Sequence, residues 1–225
     1  MDGSGGTELG TYLGRDSGAR KLNTDGIIAG WVCIHPEQRG QDNYRPCIWR
    51  NDNSLHVLED LSGWTWGTAV DVNSNGQVLV WTHKEGVTTC HLWTYGGALA
   101  QIGQNSPPSV IPMGLNDRGD VLGFVNDRQY RPRALISRQG AAWELLATEP
   151  GMYPTAIGED STIIGSIRRD GFERPWLLMS SGEIIELPYL RYHHCKPTAI
   201  NSQGHMVGDG STDHGSHALL WRLRS

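Results

Sequence analysis

Residues 195–208 read CKPTAINSQGHMVG: a short apolar strand, a turn on Asn201-x-x-Gly204, and a second apolar strand. Glycine suits a turn position that needs positive φ, and asparagine can bond back to the backbone two residues on. Four more stretches align with it without gaps: SGARKLNTDGIIAG from Ser17, GTAVDVNSNGQVLV from Gly67, VIPMGLNDRGDVLG from Val110 and MYPTAIGEDSTIIG from Met152. Their turn glycines are Gly26, Gly76 and Gly119, while the Met152 copy has Gly158 in place of the asparagine and Ser161 in place of the glycine.

A third strand follows in each repeat, as RPCIWR to Arg50, TCHLWT to Thr94, PRALIS to Ser137, PWLLMS to Ser180 and HALLWR to Arg222. Trp49, Trp93, Ser137, Met179 and Trp221 read as one equivalent position, and the tryptophans as core between neighbouring sheets. A fourth strand is read at HVLEDL from His56, LAQIGQ from Leu99, WELLAT from Trp143 and IIELPY from Ile184. After Trp221 the sequence supplies none, but TELGTYLG from Thr7 is similar to IELPYLR from Ile185. A ring of sheets leaves an unpaired edge where its ends meet, and a strand borrowed from the other terminus pairs it. Four-stranded units of about 42–44 residues are propeller blades by spacing. The expected fold is therefore all-β: one domain over 1–225, a five-bladed β-propeller with blades from about 15, 64, 108, 151 and 194, closed by residues 7–14.

The units resemble the HAF-repeat family, whose blades carry an Ala-x-x-Ile-Asn-x-x-Gly turn and an Ala-Phe-Leu-Trp-like strand; Ala199-Ile200-Asn201 with Gly204, and HALLWR, carry the likeness most fully. The resemblance implies the propeller fold and is silent on function, because the shared residues build the blade.

The formal charge of -5, without acidic or basic blocks, leaves no footprint for a phosphate backbone, so no nucleic-acid partner is expected. No apolar run reaches the roughly 18–20 residues of a membrane span, and MDGSGG has neither part of a secretory signal. A soluble, cytoplasmic monomer is the expectation, or a secreted one had a signal been removed. Cys33, Cys47, Cys90 and Cys195 form no CxxC pair and read as reduced, buried thiols, or, for Cys33 and Cys47, as two cysteines facing each other across one hairpin. GxSxG, P-loop, HExxH and dinucleotide fingerprints are absent, and no cofactor is expected.

Ligand chemistry is expected on the face where loops entering the first strands meet those joining second to third strands. The densest group is Tyr192-His193-His194 with Asp213-His214, to which Asp16 is added. A histidine held by a carboxylate suits a general base, and a neighbouring tyrosine or histidine an acid; the same residues suit a solvated loop, and no third ligand at metal spacing accompanies them. Trp64 and Trp66, two residues apart in an extended segment, can present two indoles to a flat or sugar-like ligand or pack between blades. Arg20, Val70, Met113, Thr155 and Thr198 share one position on the innermost strands; Arg20 suits a ligand anion or a neighbouring aspartate. His35, His83, Tyr153 and Arg168 complete the candidate ligand contacts. The long segment Cys33 to Tyr44 is a flap or a surface excursion.

These features support one small organic molecule in one asymmetric site, with metal-independent His/Asp acid-base chemistry of a lyase, isomerase, cyclase or hydrolase. The alternatives are a lectin-like carbohydrate binder, whose polar loop residues would repeat from blade to blade, and a protein-interaction platform. Here the scaffold repeats and the loop residues do not.

Overall fold

The computed structural model describes residues 5–13, 16–34, 43–58, 64–97, 99–103, 109–189 and 193–223, and every regular element among them is a β-strand. The chain divides into two compact bodies, Met1–Ala100 and Gln101–Ser225.

The first body holds two antiparallel sheets. One is β1 (Ser17–Leu22), β2 (Ile28–Cys33), β3 (Tyr44–Trp49) and β4 (Leu55–Val57), paired in that order; the other is β5 (Trp66–Val72), β6 (Gln77–Lys84), β7 (Val87–Thr94) and β8 (Leu99–Gln101). The second body holds β9 (Ile111–Leu115), β10 (Val121–Asn126), β11 (Pro132–Ser137) and β12 (Trp143–Leu145) as a third such sheet. It continues with β13 (Met152–Ile157), β14 (Ile163–Arg169), β15 (Phe172–Leu178) and β16 (Ile184–Glu186), and with β17 (His194–Ile200), β18 (His205–Thr212) and β19 (Gly215–Arg222). These last seven strands count as one sheet through a single parallel pair, Glu173 with His194; all their other pairings are antiparallel hairpins. Each sequence repeat is thus one set of consecutively paired strands.

The turns form for the reasons the sequence suggests. Gly26, Gly76, Gly119 and Gly204 have φ of 78, 72, 81 and 74°, in the left-handed region. The asparagine oxygen closes each of these turns: Asn201 Oδ1 accepts from the amides of Gln203 and His205 at 3.0 and 2.9 Å. Its amide has a second use that the turn motif does not announce. Asn23 donates to the Asn73 carbonyl at 2.9 Å, and Asn116 to the Gly158 carbonyl at 3.1 Å, so each ties its repeat to the next within its own body.

The fourth repeat keeps the turn with different atoms. Ser161 takes the left-handed conformation at φ 67°, and Asp160 Oδ1 accepts the Thr162 amide. The Ser161 hydroxyl donates to the buried Asp120 carboxylate at 2.6 Å, which offsets the strain. Ser161→Ala retains the strain and strips a donor from a buried carboxylate, so a loss of about 1–2 kcal/mol is expected in urea denaturation. Ser161→Gly loses the same bond but relieves φ, and is expected to cost less than the alanine variant.

Strand faces alternate, and the apolar face of one repeat meets the tryptophan-bearing face of the next. Ala29 and Ile48 pack on Val78, Val80 and Trp93; Leu122 and Ile136 on Met152 and Ile163; Ile164 and Leu177 on Met206 and Trp221. Full burial of such side chains stabilises by roughly 1.5–3 kcal/mol each. Trp49, Trp93 and Trp221 are core, as expected, and Ser137 shares their register. Met179 does not: Leu178, opposite Ile163, occupies that register position, because the fourth repeat reaches it one residue sooner.

Every first strand carries a bulge, and its extra residue is Arg20, Val70, Met113, Thr155 or Thr198. The position read as equivalent is therefore a repeated break in the ladder. Arg20 Nε donates to Thr68 Oγ1 at 3.1 Å, and Thr155 Oγ1 to the Pro197 carbonyl at 2.7 Å.

Two features concern the ends of the sequence. Residues 5–13 carry no strand, so the outer strand expected over 7–14 is not formed among the described residues. They pack instead on the first repeat: Leu9 joins Val32, Cys47 and Trp49, and the Trp49 indole donates to the Gly10 carbonyl at 2.6 Å. In the second body, β19 has no partner among the described residues along its outer edge. A pocket of about 380 Å³ lies there, lined by Ile185, Leu187, Tyr189, Leu219, Trp221 and Leu223. On the far face of this repeat Val207 and Leu220 are 47 and 52% exposed, whereas the matching pair of the fourth repeat, Ile164 and Leu177, is fully buried.

Candidate functional site

The most polar-aromatic face in the first body belongs to the second repeat. The turn at Glu85-Gly86, with φ of 51 and 83°, is the two-residue type whose twist matches antiparallel strands, and it fixes Lys84 opposite Val87. That register sets His83 opposite Thr88 on one side and Trp66 on the other, and Trp81 opposite Cys90 and Thr68. Opposed residues share a sheet face, so Trp66, Thr68, Trp81, His83, Thr88 and Cys90 form one patch. Trp66 stacks on the His83 ring at 5.6 Å and 9° and meets the Trp81 edge at 5.0 Å. The side chains of Trp66, Trp81, His83 and Thr88 are half-buried. Trp81 Nε1, His83 Nδ1 and Thr88 Oγ1 are individually buried and have no hydrogen-bond partner among the described residues.

Trp64 does not join this patch. Its ring meets His91 edge-on at 5.3 Å, and His91, opposite Val80, lies on the other face of the sheet. The two indoles therefore do not present one surface. The strand begins only at Trp66, so the alternation of an extended chain does not reach back to Trp64. His91 was not singled out in the sequence. Its Nε2 lies 3.1 and 3.0 Å from the hydroxyls of Thr82 and Thr89, and burial lowers its pKa to about 4, which makes it a neutral structural imidazole.

The second group lies in the fifth repeat. His193 precedes β17 and donates its amide to the Ser211 carbonyl at 2.9 Å; Asp213 and His214 form the turn between β18 and β19. The pairing brings His193 Nδ1 to 3.3 Å from Asp213 Oδ1. Phe172 lies beside both histidines, with centroids at 5.4 Å from His193 and 6.3 Å from His194. Arg174, stacked over Tyr189 at 4.1 Å, reaches the His193 carbonyl at 3.5 Å. His194 is exposed at the start of β17, and the His214 amide donates to Thr212 Oγ1. The sequence reading singles out neither Phe172 nor Arg174.

Tyr153 is set apart from that pair: it packs on Phe124 at 4.9 Å, donates to Met113 Sδ at 3.9 Å, and has Lys196 Nζ 5.3 Å from its ring. Burial raises its pKa, so it is a neutral phenol. Arg168 is exposed opposite Glu173, and Asp16 is exposed with its carbonyl accepting the Cys33 amide. His35, most of the Cys33 to Tyr44 segment, and Tyr192 lie outside the described residues. The four cysteines are buried, and burial pushes the Cys90 thiol up to about 12.

Register shows how uneven the repeats are at this level. The positions matching His83 hold Cys33, Asn126, Arg168 and Ser211; those matching Trp66 hold Asp16, Ser109, Gly151 and His194.

No protein-family model matches the chain, and no curated protein matches it. Solved structures do, with the β-propeller as their common fold. Putative TolB from Agrobacterium tumefaciens is 14% identical, with TM-score 0.63 over 92% of this chain and 76% of that one. TolB from Acinetobacter baumannii is 10% identical, with TM-score 0.55, and there this chain's 76% corresponds to only 42% of the other. Virginiamycin B lyase from Staphylococcus aureus is 14% identical, with TM-score 0.54 over 96 and 73% of the two chains. Identities this low establish the propeller-like fold and nothing further.

Proposed function

We propose that the protein is a five-bladed propeller of the HAF-repeat type that binds one small organic molecule at the rim of its second blade. The observation that carries the binding reading is a trio of buried polar atoms, Trp81 Nε1, His83 Nδ1 and Thr88 Oγ1, on one sheet face beside the Trp66 ring and without a partner among the described residues. A buried polar group without a partner costs about 1–3 kcal/mol, so three together call for something that satisfies them. The indole donates only, the hydroxyl does both, and the imidazole nitrogen takes either role with tautomer. A molecule with adjacent hydroxyl or amide groups and one flat face suits the set, a sugar or a polar heterocycle being the plain cases. A single site follows from the uneven repeats.

Closure is supported by an equivalence. The Trp221 indole donates to the Pro188 carbonyl at 2.7 Å, just as Trp49 does to that of Gly10. Leu187 lies in the Trp221 cluster as Leu9 does in the Trp49 cluster. Residues 5–13 thus serve the first blade as the continuation of β16 serves the fifth, and this likeness is what supports residues 7–14 as the closing strand of the ring.

Calorimetric titration against a panel of sugars and polar heterocycles is expected to find a ligand with stoichiometry near one. Trp66→Ala should then weaken binding by about tenfold or more, the scale of one lost aromatic contact, while Trp64→Ala leaves it within about twofold. Three to five equivalent sites, or equal sensitivity at the two tryptophans, would overturn the reading.

A further inference from the structure

We propose that His193 and Asp213 form a proton-accepting pair. The proposal is independent of the second-blade site. His193 is fixed at three points: its amide donates to the Ser211 carbonyl, its carbonyl is 3.5 Å from the Arg174 guanidinium, and its ring lies against Phe172. Asp213 Oδ1 is 3.3 Å from Nδ1. A carboxylate there holds the proton on Nδ1 and leaves the lone pair on Nε2. The ring is 44% exposed, so a molecule lying against Phe172 can reach that nitrogen. The substrate class is a molecule with an apolar or aryl part for the Phe172 face and a hydroxyl, or a bound water, at the imidazole. In the step the O–H bond breaks, its electron pair stays on oxygen, and the proton forms a new bond to Nε2. The Asp213 carboxylate lies beside the ring that takes the proton.

His194 supplies an internal reference. It is the next residue, is also exposed and also faces Phe172, yet no carboxylate is paired with it among the described residues. A surface ion pair that contributes nothing would leave the two rings equally reactive.

Diethyl pyrocarbonate, used as the probe, tests this in the intact chain. The imidazole nitrogen attacks one carbonyl of the probe; the N–C bond forms, and ethanol and carbon dioxide leave. Peptide mass spectrometry should show His193 modified about three- to fivefold faster than His194, the upper scale of an ion pair whose carboxylate is 80% exposed. Asp213→Asn should remove that advantage, and nitrogen NMR of the neutral ring should then lose the Nδ1–H tautomer. Because the tautomer is read on folded protein, a variant that merely unfolds is recognised as such, and Asp213→Glu then serves in its place, with the advantage expected to persist in part. Equal rates at His193 and His194 in the parent chain, or an advantage untouched by Asp213→Asn, overturn the proposal.

Discussion

Removing residues 1–13 is expected to destabilise the protein by about 3 kcal/mol or more, the sum of one half-buried leucine and one orphaned indole, before any loss of closure is counted. Leu9 fills the apolar cluster around Trp49, and the fully buried Trp49 indole has its hydrogen bond to Gly10. Deletion opens the cluster and leaves a buried N–H without an acceptor. Two point variants separate the contributions. Leu9→Ala should lose about 1–2 kcal/mol, and Trp49→Phe, which keeps a ring but has no N–H to satisfy, should show the remaining cost of the cavity. Closure adds a test of its own. If residues 7–14 close the ring, deletion also leaves a strand edge open to other chains, and size-exclusion chromatography should show new oligomers. A truncated monomer with unchanged urea midpoint would remove both the packing argument and the closure.

How far the sequence foretold this depended on whether a residue acts through the local chain or across it. The turn at Asn201-x-x-Gly204 is a property of four adjacent residues, and it was legible, even to the departure at Ser161. The bulges were half legible: Arg20, Val70, Met113, Thr155 and Thr198 share a place in the repeat, but nothing in their side chains says that the ladder slips there. The first-strand pairing says it, through the glycine opposite. Trp66, His83, His193 and Asp213 stand in or beside loops, where polar and aromatic residues draw notice. Trp81, Thr88, Phe172 and Arg174 sit in strands with the same alternation as core, and only the register of the hairpins brings them to the same patches. Trp64 was misread for the converse reason, since two residues' spacing predicts a shared face only inside a strand.

The glycine opposite the bulge leads to a second large effect. Gly165 lies midway along β14, between Pro154 and Trp176 in the register, with the bulge of β13 immediately beyond Pro154. A Cβ there would overlap the Tyr153 carbonyl oxygen and the Trp176 ring. The carbonyl belongs to the backbone and the ring is 2% exposed, so neither can yield cheaply. Gly30 and Gly208 meet the same obstruction, at the carbonyls of Gly18 and Lys196, because the bulge swings that carbonyl over the neighbouring strand. Val80 is the exception that bounds the argument: it holds the matching position, opposite Ala69 and His91, and there a side chain is accommodated. Gly165→Ala gains about half a kcal/mol from restricting the unfolded chain, against overpacking of about 1–3 kcal/mol, more where backbone must move. A net loss of about 2–3 kcal/mol is expected, lowering the melting temperature by roughly 5–10 °C for a chain of this size. Gly158→Ala is the control, since its Cβ would come no closer than 3.2 Å to the Asp160 carboxylate, a contact that a shift of a few tenths of an ångström relieves, and it should change stability by no more than about 1 kcal/mol. Equal melting temperatures for the two variants would show that close approach at the bulge is not what selects glycine at position 165.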